Sequence, residues 1–250
     1  GVKHCISCAN GTDAIYITLK ALGICSGDEV ITVANTWIST AETITQTGAK
    51  PVFVDIHPDY YTIDILKIEE KIIPKTKAII PVHLFGQPAE MDPIIDICKS
   101  HNLLLVEDCA QAHFAELGGN KVGTMGVAGT FSFFPGKNLG AYGDAGAIIS
   151  NDDEFARKAR MFANHGSFTK HKHEFEGINS RMDGIQSAIL SVKLPYIHEW
   201  NQKRLQNSLL YNELLRDVEG VVTPKIRSNA KHVFHLYVIR TKKRDELQKY

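Results

Sequence analysis

Short apolar runs alternate with segments of helical period along most of the chain. The runs at 4–8, 29–34, 51–54, 77–82, 103–107, 130–134 and 146–150 read as strands, and the stretches near 12–22, 38–47, 64–73 and 90–101 read as helices between the early ones. Turn signals such as Ser26-Gly27-Asp28 and Pro74-Lys75-Thr76 separate them. Strands alternating with helices predict an α/β protein built on a mainly parallel, mixed sheet flanked by helices, whose binding residues gather at the carboxyl ends of the strands.

The pattern changes beyond 182. Met182, Ile185, Ile189 and Val192 share one face of a long helix that Pro195 ends or kinks, a second helix covers 199–217, and "HVFHLYVIR", 232–240, alternates like a half-buried strand. This predicts a large domain over 1–195 and the start of a smaller C-terminal α+β domain over 196–250. The chain begins at Gly1 without a methionine and stops inside "KKRDELQKY", which opens like a helix, so it reads as a piece of a longer protein.

Charge narrows the partners. Twenty-eight basic residues balance 28 acidic ones, so no net field draws the molecule toward nucleic acid or an anionic membrane. No apolar run approaches the roughly 18 residues of a membrane helix, and residues 1–30 lack a secretory pattern, which predicts a cytoplasmic protein. The cysteines are Cys5, Cys8, Cys25, Cys98 and Cys109, an odd number without framework spacing, and reduced thiols are expected. Cys5 and Cys8 form a C-x-x-C without a second ligand pair, so no metal is expected.

The candidate chemistry centres on "FSFFPGKNLGAYGDAG", 131–146, where one lysine, Lys137, sits among glycines with almost no other charge. A phosphate-binding P-loop is excluded, because Phe131 stands at the first glycine position and Asn138 at the final hydroxyl position. What remains is an amine on a turn that backbone and ligand can approach closely. Desolvation lowers the pKa of such an amine and frees it to attack a carbonyl, as a Schiff-base lysine requires; the plainer alternative is a solvated turn lysine.

"LLLVEDCAQAHF", 103–114, is an apolar strand ending in Glu107-Asp108. A carboxylate at Asp108 could pair with a protonated pyridine nitrogen and keep that ring an electron sink, with Gln111 reaching a second polar atom of the ring. Asp108 could equally cap the next turn. In "CANGTDAIYITLKALG", 8–23, a strand runs through Gly11 and Thr12 into a helix, a natural phosphate cradle to which Ser132 could add a hydroxyl. Trp37, after the second strand, could stack on a flat ring or pack in the core. His113 could touch a substrate or be satisfied by backbone. The first strand–helix junction lacks G-x-G-x-x-G, which argues against a nicotinamide-binding enzyme.

Taken in order, these elements resemble the pyridoxal-phosphate nucleotide-sugar aminotransferases of the DegT type. The likeness runs from "NGTDA" and "GDEVI" through "GAKPVFVDI", "IIPVHLFGQP", "VEDCAQAH" and "FSFFPGKN" to "EGINSRMDGIQSAIL". It implies a type I pyridoxal-phosphate transferase fold, with Lys137 tethered to the cofactor as a Schiff base and later shuttling protons. Asp108 would pair with the pyridine nitrogen, Gln111 would contact the ring hydroxyl region and Trp37 would stack on the ring. Gly11, Thr12 and Ser132 would hold the phosphate. Asn179, in "GINSRMDG", matches an asparagine that reaches the neighbouring subunit's site, which implies a homodimer with shared active sites.

The implied reaction passes an amino group from L-glutamate, through the pyridoxamine form of the cofactor, to a ketone of a nucleotide-linked deoxysugar in amino-sugar, lipopolysaccharide or secondary-metabolite synthesis. "GAYGDAGA", 140–147, replaces the Gly-Glu-Gly-Gly run of many members that aminate C4, and with "HEFEGINSR" it points to a 3-keto sugar. The alternatives are a 4-keto-sugar aminotransferase of the same family, or a fold relative or fragment that binds without turnover. Sugar dehydratases of the family carry histidine where Lys137 stands. Relative to the family, an N-terminal segment and much of the small domain are missing.

Overall fold

The computed structural model describes residues 1–250. Seven strands form its central sheet: β1 (His4–Cys8), β2 (Glu29–Val33), β3 (Lys50–Val54), β4 (Thr76–Ile80), β5 (Leu104–Asp108), β6 (Ala128–Ser132) and β7 (Gly146–Ser150). All seven were expected, with ends displaced by no more than two residues. Their order is β1-β7-β6-β5-β4-β2-β3. The pairs β2–β3, β2–β4, β4–β5 and β5–β6 are parallel, whereas β7 runs antiparallel to both β6 and β1. The mainly parallel, mixed sheet of the sequence reading is therefore the one observed. Because β6 and β7 are antiparallel neighbours, no crossover helix separates them. The loop that joins them carries Lys137.

Alternation along each strand builds two cores. Ile31, Val33, Ile79 and Leu105 face helix α3 (Met91–Ser100), burying Met91, Ile94 and Cys98. Their neighbours Val30, Ala78, Ile80 and Val106 face the opposite way, onto Ile15 and Leu19 of α1 (Gly11–Ala21) and Ile44 of α2 (Ser39–Gln46). Beneath β1 and β7, Ile6 and Ile148 meet Ala14 and Ile17 of α1 and Phe155 and Ala159 of α4 (Asp153–Phe162), a helix not among those expected. Each fully buried aliphatic side chain contributes about 1.5–3 kcal/mol, and both sheet faces share in it.

Helix α5 (Gly184–Lys193) stops before a 3₁₀ turn over Leu194–Tyr196, and α6 (Ile197–Leu214) follows, so Pro195 marks the break as expected. The apolar stripe of α5 is not its buried face. Ile185 and Val192 are about 70 % exposed, and Leu190 is the residue that packs inward, against Leu139, Ala141 and Ala145. A last helix, α7 (Arg244–Lys249), occupies the expected place near the end of the chain.

Two expected elements differ. Residues 64–73 form 3₁₀ turns at Ile65–Lys67 and Glu69–Lys71 instead of an α-helix. The apolar anchors Ile65 and Ile68 recur at three residues, the repeat of the tighter helix, and Pro74 forbids extension. The strand over 232–240 is absent: only Ala230–Lys231 and Arg240–Thr241 pair, with Glu116–Leu117 and Val221–Val222. Between them the backbone bonds elsewhere, with Phe234 N donating to His232 Nδ1, Arg204 donating to the carbonyls of Phe234 and His235, and Val233 N and Leu236 N donating to the carbonyls of Gly86 and Phe85. Those local bonds compete with a ladder. All five cysteines are free thiols. No helix is long and apolar enough to cross a membrane.

Candidate active site

The carboxyl ends of β1, β2, β5 and β6 bring the predicted residues together. Asn10 caps α1, its side chain accepting from Asp13 N at 2.8 Å, so the amides of Gly11 and Thr12 precede the helical ladder. Thr12 Oγ1 lies 2.7 Å from Ser39 Oγ, joining the start of α1 to the start of α2. Gly11 faces Ser132 so closely that a Cβ on it would lie 2.5 Å from Ser132 Cβ. Two helix starts and a serine that only glycine lets come so close thus meet at one place, a geometry suited to an anion.

Asp108 ends β5, almost fully buried. Its carboxylate accepts from Thr40 Oγ1 at 2.9 Å and from Ala110 N at 3.1 Å. Thr40 spends its only hydroxyl proton on this carboxylate, so Thr36, 2.9 Å from Thr40, must donate to it. That relay ties the loop carrying Trp37 to Asp108. Trp37 itself is 73 % exposed, which excludes the core-packing alternative and leaves its ring free. Burial pushes the Asp108 carboxyl above the usual range, against the pull of the Ala110 amide, the Thr40 hydroxyl and the Lys137 charge. A carboxyl in that state favours a proton or a cationic partner.

Lys137 is half-buried, and burial lowers its pKa while the nearby Asp108 charge opposes the shift. The two groups act on one another within one site, yet no carboxylate lies within 4.0 Å of the amine. A partly dehydrated, unpaired amine is the reactive form of lysine. Gln111 Oε1 accepts from Phe85 N at 2.7 Å, so the amide's oxygen is engaged and its NH₂ remains to donate. His113 is buried between Phe131 and Phe133, and neither ring nitrogen has a hydrogen-bond partner. Burial, with the charges of Lys137 and His235, pushes its pKa down to about 3, so it is a neutral imidazole. Asn179 stands apart from the others. It is exposed before α5, its backbone bridges Asn164, and its side chain bonds nothing in its own chain.

Glu107, next to Asp108, points to the other side of the strand. It is fully buried and accepts from Gly123 N, Met125 N and Gly126 N at 2.7, 2.7 and 2.8 Å and from His83 Nε2 at 3.1 Å. His83 Nδ1 accepts from Ala89 N, which places the proton on Nε2. Burial works against the charge, but the His83 bond and the backbone amides outweigh it and hold the carboxyl below its usual range. Such a group stabilises the fold at neutral pH and loses that contribution as pH falls from about 4.3 through its lower folded value. We expect Glu107→Gln to cost about 1.5–3 kcal/mol at pH 7. The deficit against wild type should shrink as pH falls below about 4.3, and denaturant melts across acid pH check it.

Sequence reasoning missed Thr40, Glu107 and Asn138. Threonine and asparagine carry no distinctive spacing, and nothing in "Glu-Asp" says which carboxylate faces the ligand. The donor set fits a phosphorylated pyridine aldehyde: helix-start amides with a serine for an anion, a buried carboxyl awaiting a cation, an amide donor and a reactive amine. A mixed seven-stranded sheet with that amine after β6 is the architecture of the type I pyridoxal-phosphate transferases.

Known proteins agree. The model of the DegT/DnrJ/EryC1/StrS aminotransferase family matches residues 1–250, and the chain belongs to that family. It is 53% identical to the pleiotropic regulatory protein of Geobacillus stearothermophilus, over 98% of this chain and 67% of that protein. It is 41% identical to the dTDP-3-amino-3,4,6-trideoxy-alpha-D-glucose transaminase of Streptomyces venezuelae, over 98% of this chain and 65% of that one. Among solved structures it superposes on S. venezuelae DesV in complex with a ketimine intermediate, with a TM-score of 0.97 and 41% identity, covering 99% of this chain and 67% of that one. The chain thus spans about two thirds of the length of these relatives.

Proposed function

We propose that the protein moves an amino group from L-glutamate to the C3 ketone of a nucleotide-linked deoxysugar, with pyridoxal phosphate held in this site. One observation carries the reading: Lys137, on the β6–β7 turn, is a half-buried amine with no carboxylate within 4.0 Å, set in one site with the buried Asp108 at the end of β5. Bound there, the cofactor supplies an aldehyde for the amine and an electron sink for proton loss at carbon.

The chain's own residues do the rest. Gly11, Thr12 and Ser132 hold the phosphate, Trp37 covers the ring, and Gln111 donates to its hydroxyl oxygen. Asp108 keeps the ring nitrogen protonated. Lys137 would take up and return the proton at the donor carbon. Asn179 reaches the site of a second copy in a homodimer, a role supported by its exposure and by the bare apolar face of α5. Residues 196–250 begin a small domain against the large one, and the enzyme works in the cytoplasm.

The test is direct. Loaded with pyridoxal phosphate, the protein should show a visible band that borohydride abolishes and L-glutamate bleaches. A panel of 3-keto and 4-keto nucleotide sugars should then restore the band only with 3-keto members. Bleaching reversed only by 4-keto sugars overturns the regiochemistry. A band indifferent to glutamate and other amino acids overturns the enzyme and leaves a binding protein.

A further inference from the structure

Asn138 follows the reactive lysine and is only 5% exposed, yet both its amide hydrogens and its carbonyl oxygen are engaged. Its Nδ2 donates to Asn201 Oδ1 at 2.8 Å and to Val233 O at 2.9 Å. Its Oδ1 lies 3.2 Å from His235 Nδ1, and because a carbonyl oxygen only accepts, His235 carries its proton on Nδ1. Asn201, on α6, donates onward to His113 O at 2.9 Å. A single side chain therefore joins the β6–β7 loop to α6 and to residues 233–235.

That C-terminal segment is itself clamped to the site. Val233 N donates to Gly86 O at 3.1 Å and Leu236 N to Phe85 O at 3.4 Å, and Phe85 N is the group that orients Gln111. Gly86, at φ +98°, permits the approach, since a Cβ there would lie 2.9 Å from Phe234 N. The segment that grips Asn138 thus also sets the residue after which Gln111 is aligned.

We propose that Asn138 is a positioning residue, which holds the Lys137 turn in register by tying it to residues 233–235 and α6, so that the amine is correctly placed only when that segment is docked. The inference rests on the functional reading above. A satisfied buried amide is costly to disrupt, and displacement of a reacting group by about 1 Å can cost 10²-fold in rate.

Asn138→Asp keeps the shape but replaces both donated bonds with a carboxylate facing two acceptors. His235→Phe removes only the bond to Oδ1, and His235→Asn keeps a donor where Nδ1 stood. The readout is the pH titration of the visible cofactor band in the loaded protein without substrate. Asp108, His113 and His235 are the titratable groups whose charges couple with Lys137.

Asn138→Asp and His235→Phe should move the midpoint upward, because a loosened, better hydrated nitrogen favours its protonated form. His235→Asn should restore the wild-type midpoint. Should Asn138→Asp fail to fold, the two His235 variants decide. A wild-type band with unshifted midpoints in the foldable variants, or His235→Asn shifted as far as His235→Phe, overturns this inference alone. A wild-type protein that forms no band removes the functional reading, and this inference with it.

Discussion

Lys137→Ala is expected to abolish the borohydride-sensitive band and lower kcat by at least about 10³-fold, the range that a positioned proton-transfer group supplies. The anion cradle is built from Gly11, Thr12 and Ser132, so the variant should still bind pyridoxal phosphate, without the covalent link. Lys137→Arg separates charge from nucleophilicity. An arginine keeps the positive charge facing Asp108 but cannot lose its proton, so it should be as inactive as the alanine. If either variant retained the band, the amine would belong to another lysine and the assignment of the site would fall. Absorbance before and after borohydride, followed by mass spectrometry of the reduced adduct, settles which residue is tethered.

The second large effect is expected at Asp108. Asp108→Asn is isosteric and keeps one oxygen for the Ala110 amide, but it removes the negative charge. The buried carboxyl gains its ionised form from a cationic partner, and in return it holds a proton on the ring nitrogen. Loss of one preorganised electrostatic partner typically costs about 10²–10³ in kcat. We expect that loss in single-turnover reaction with glutamate, with cofactor still bound through Lys137. A change smaller than tenfold would show that the carboxylate is a cap for the following turn. Glu107 cannot substitute, since it lies on the opposite side of β5 and is saturated by four donors.

Much of this was legible in the chain. The seven strands follow from apolar runs bounded by turn residues, because burial on both faces of a sheet demands such runs whatever the neighbours are. Lys137, Asp108, Gln111, Gly11, Thr12 and Ser132 could be picked out as candidates because each lies at a strand end or within five residues after one, where an α/β sheet presents its ligands. The elements misread are those whose conformation a neighbour decides. The alternation in "HVFHLYVIR" is real, but His232 and Arg204 take the backbone groups that a ladder needs. The stripe along α5 lies on one face as read, but which face packs inward was decided by a neighbour: Ile185 and Val192 remain bare while Leu190 packs.

The order of polar and apolar residues by itself determined the class of fold and, to within two residues, the strands of the central sheet, because those depend on local periodicity, and residue chemistry singled out Lys137 as the candidate amine. Only the tertiary structure decided that Glu107 turns away and is taken up by backbone amides and His83, that Thr36 and Thr40 form a hydrogen-bond chain to Asp108, and that Asn138 ties the lysine turn to residues nearly 100 positions away. Those are pairings between distant segments, and no spacing along a chain encodes the direction in which a buried side chain donates.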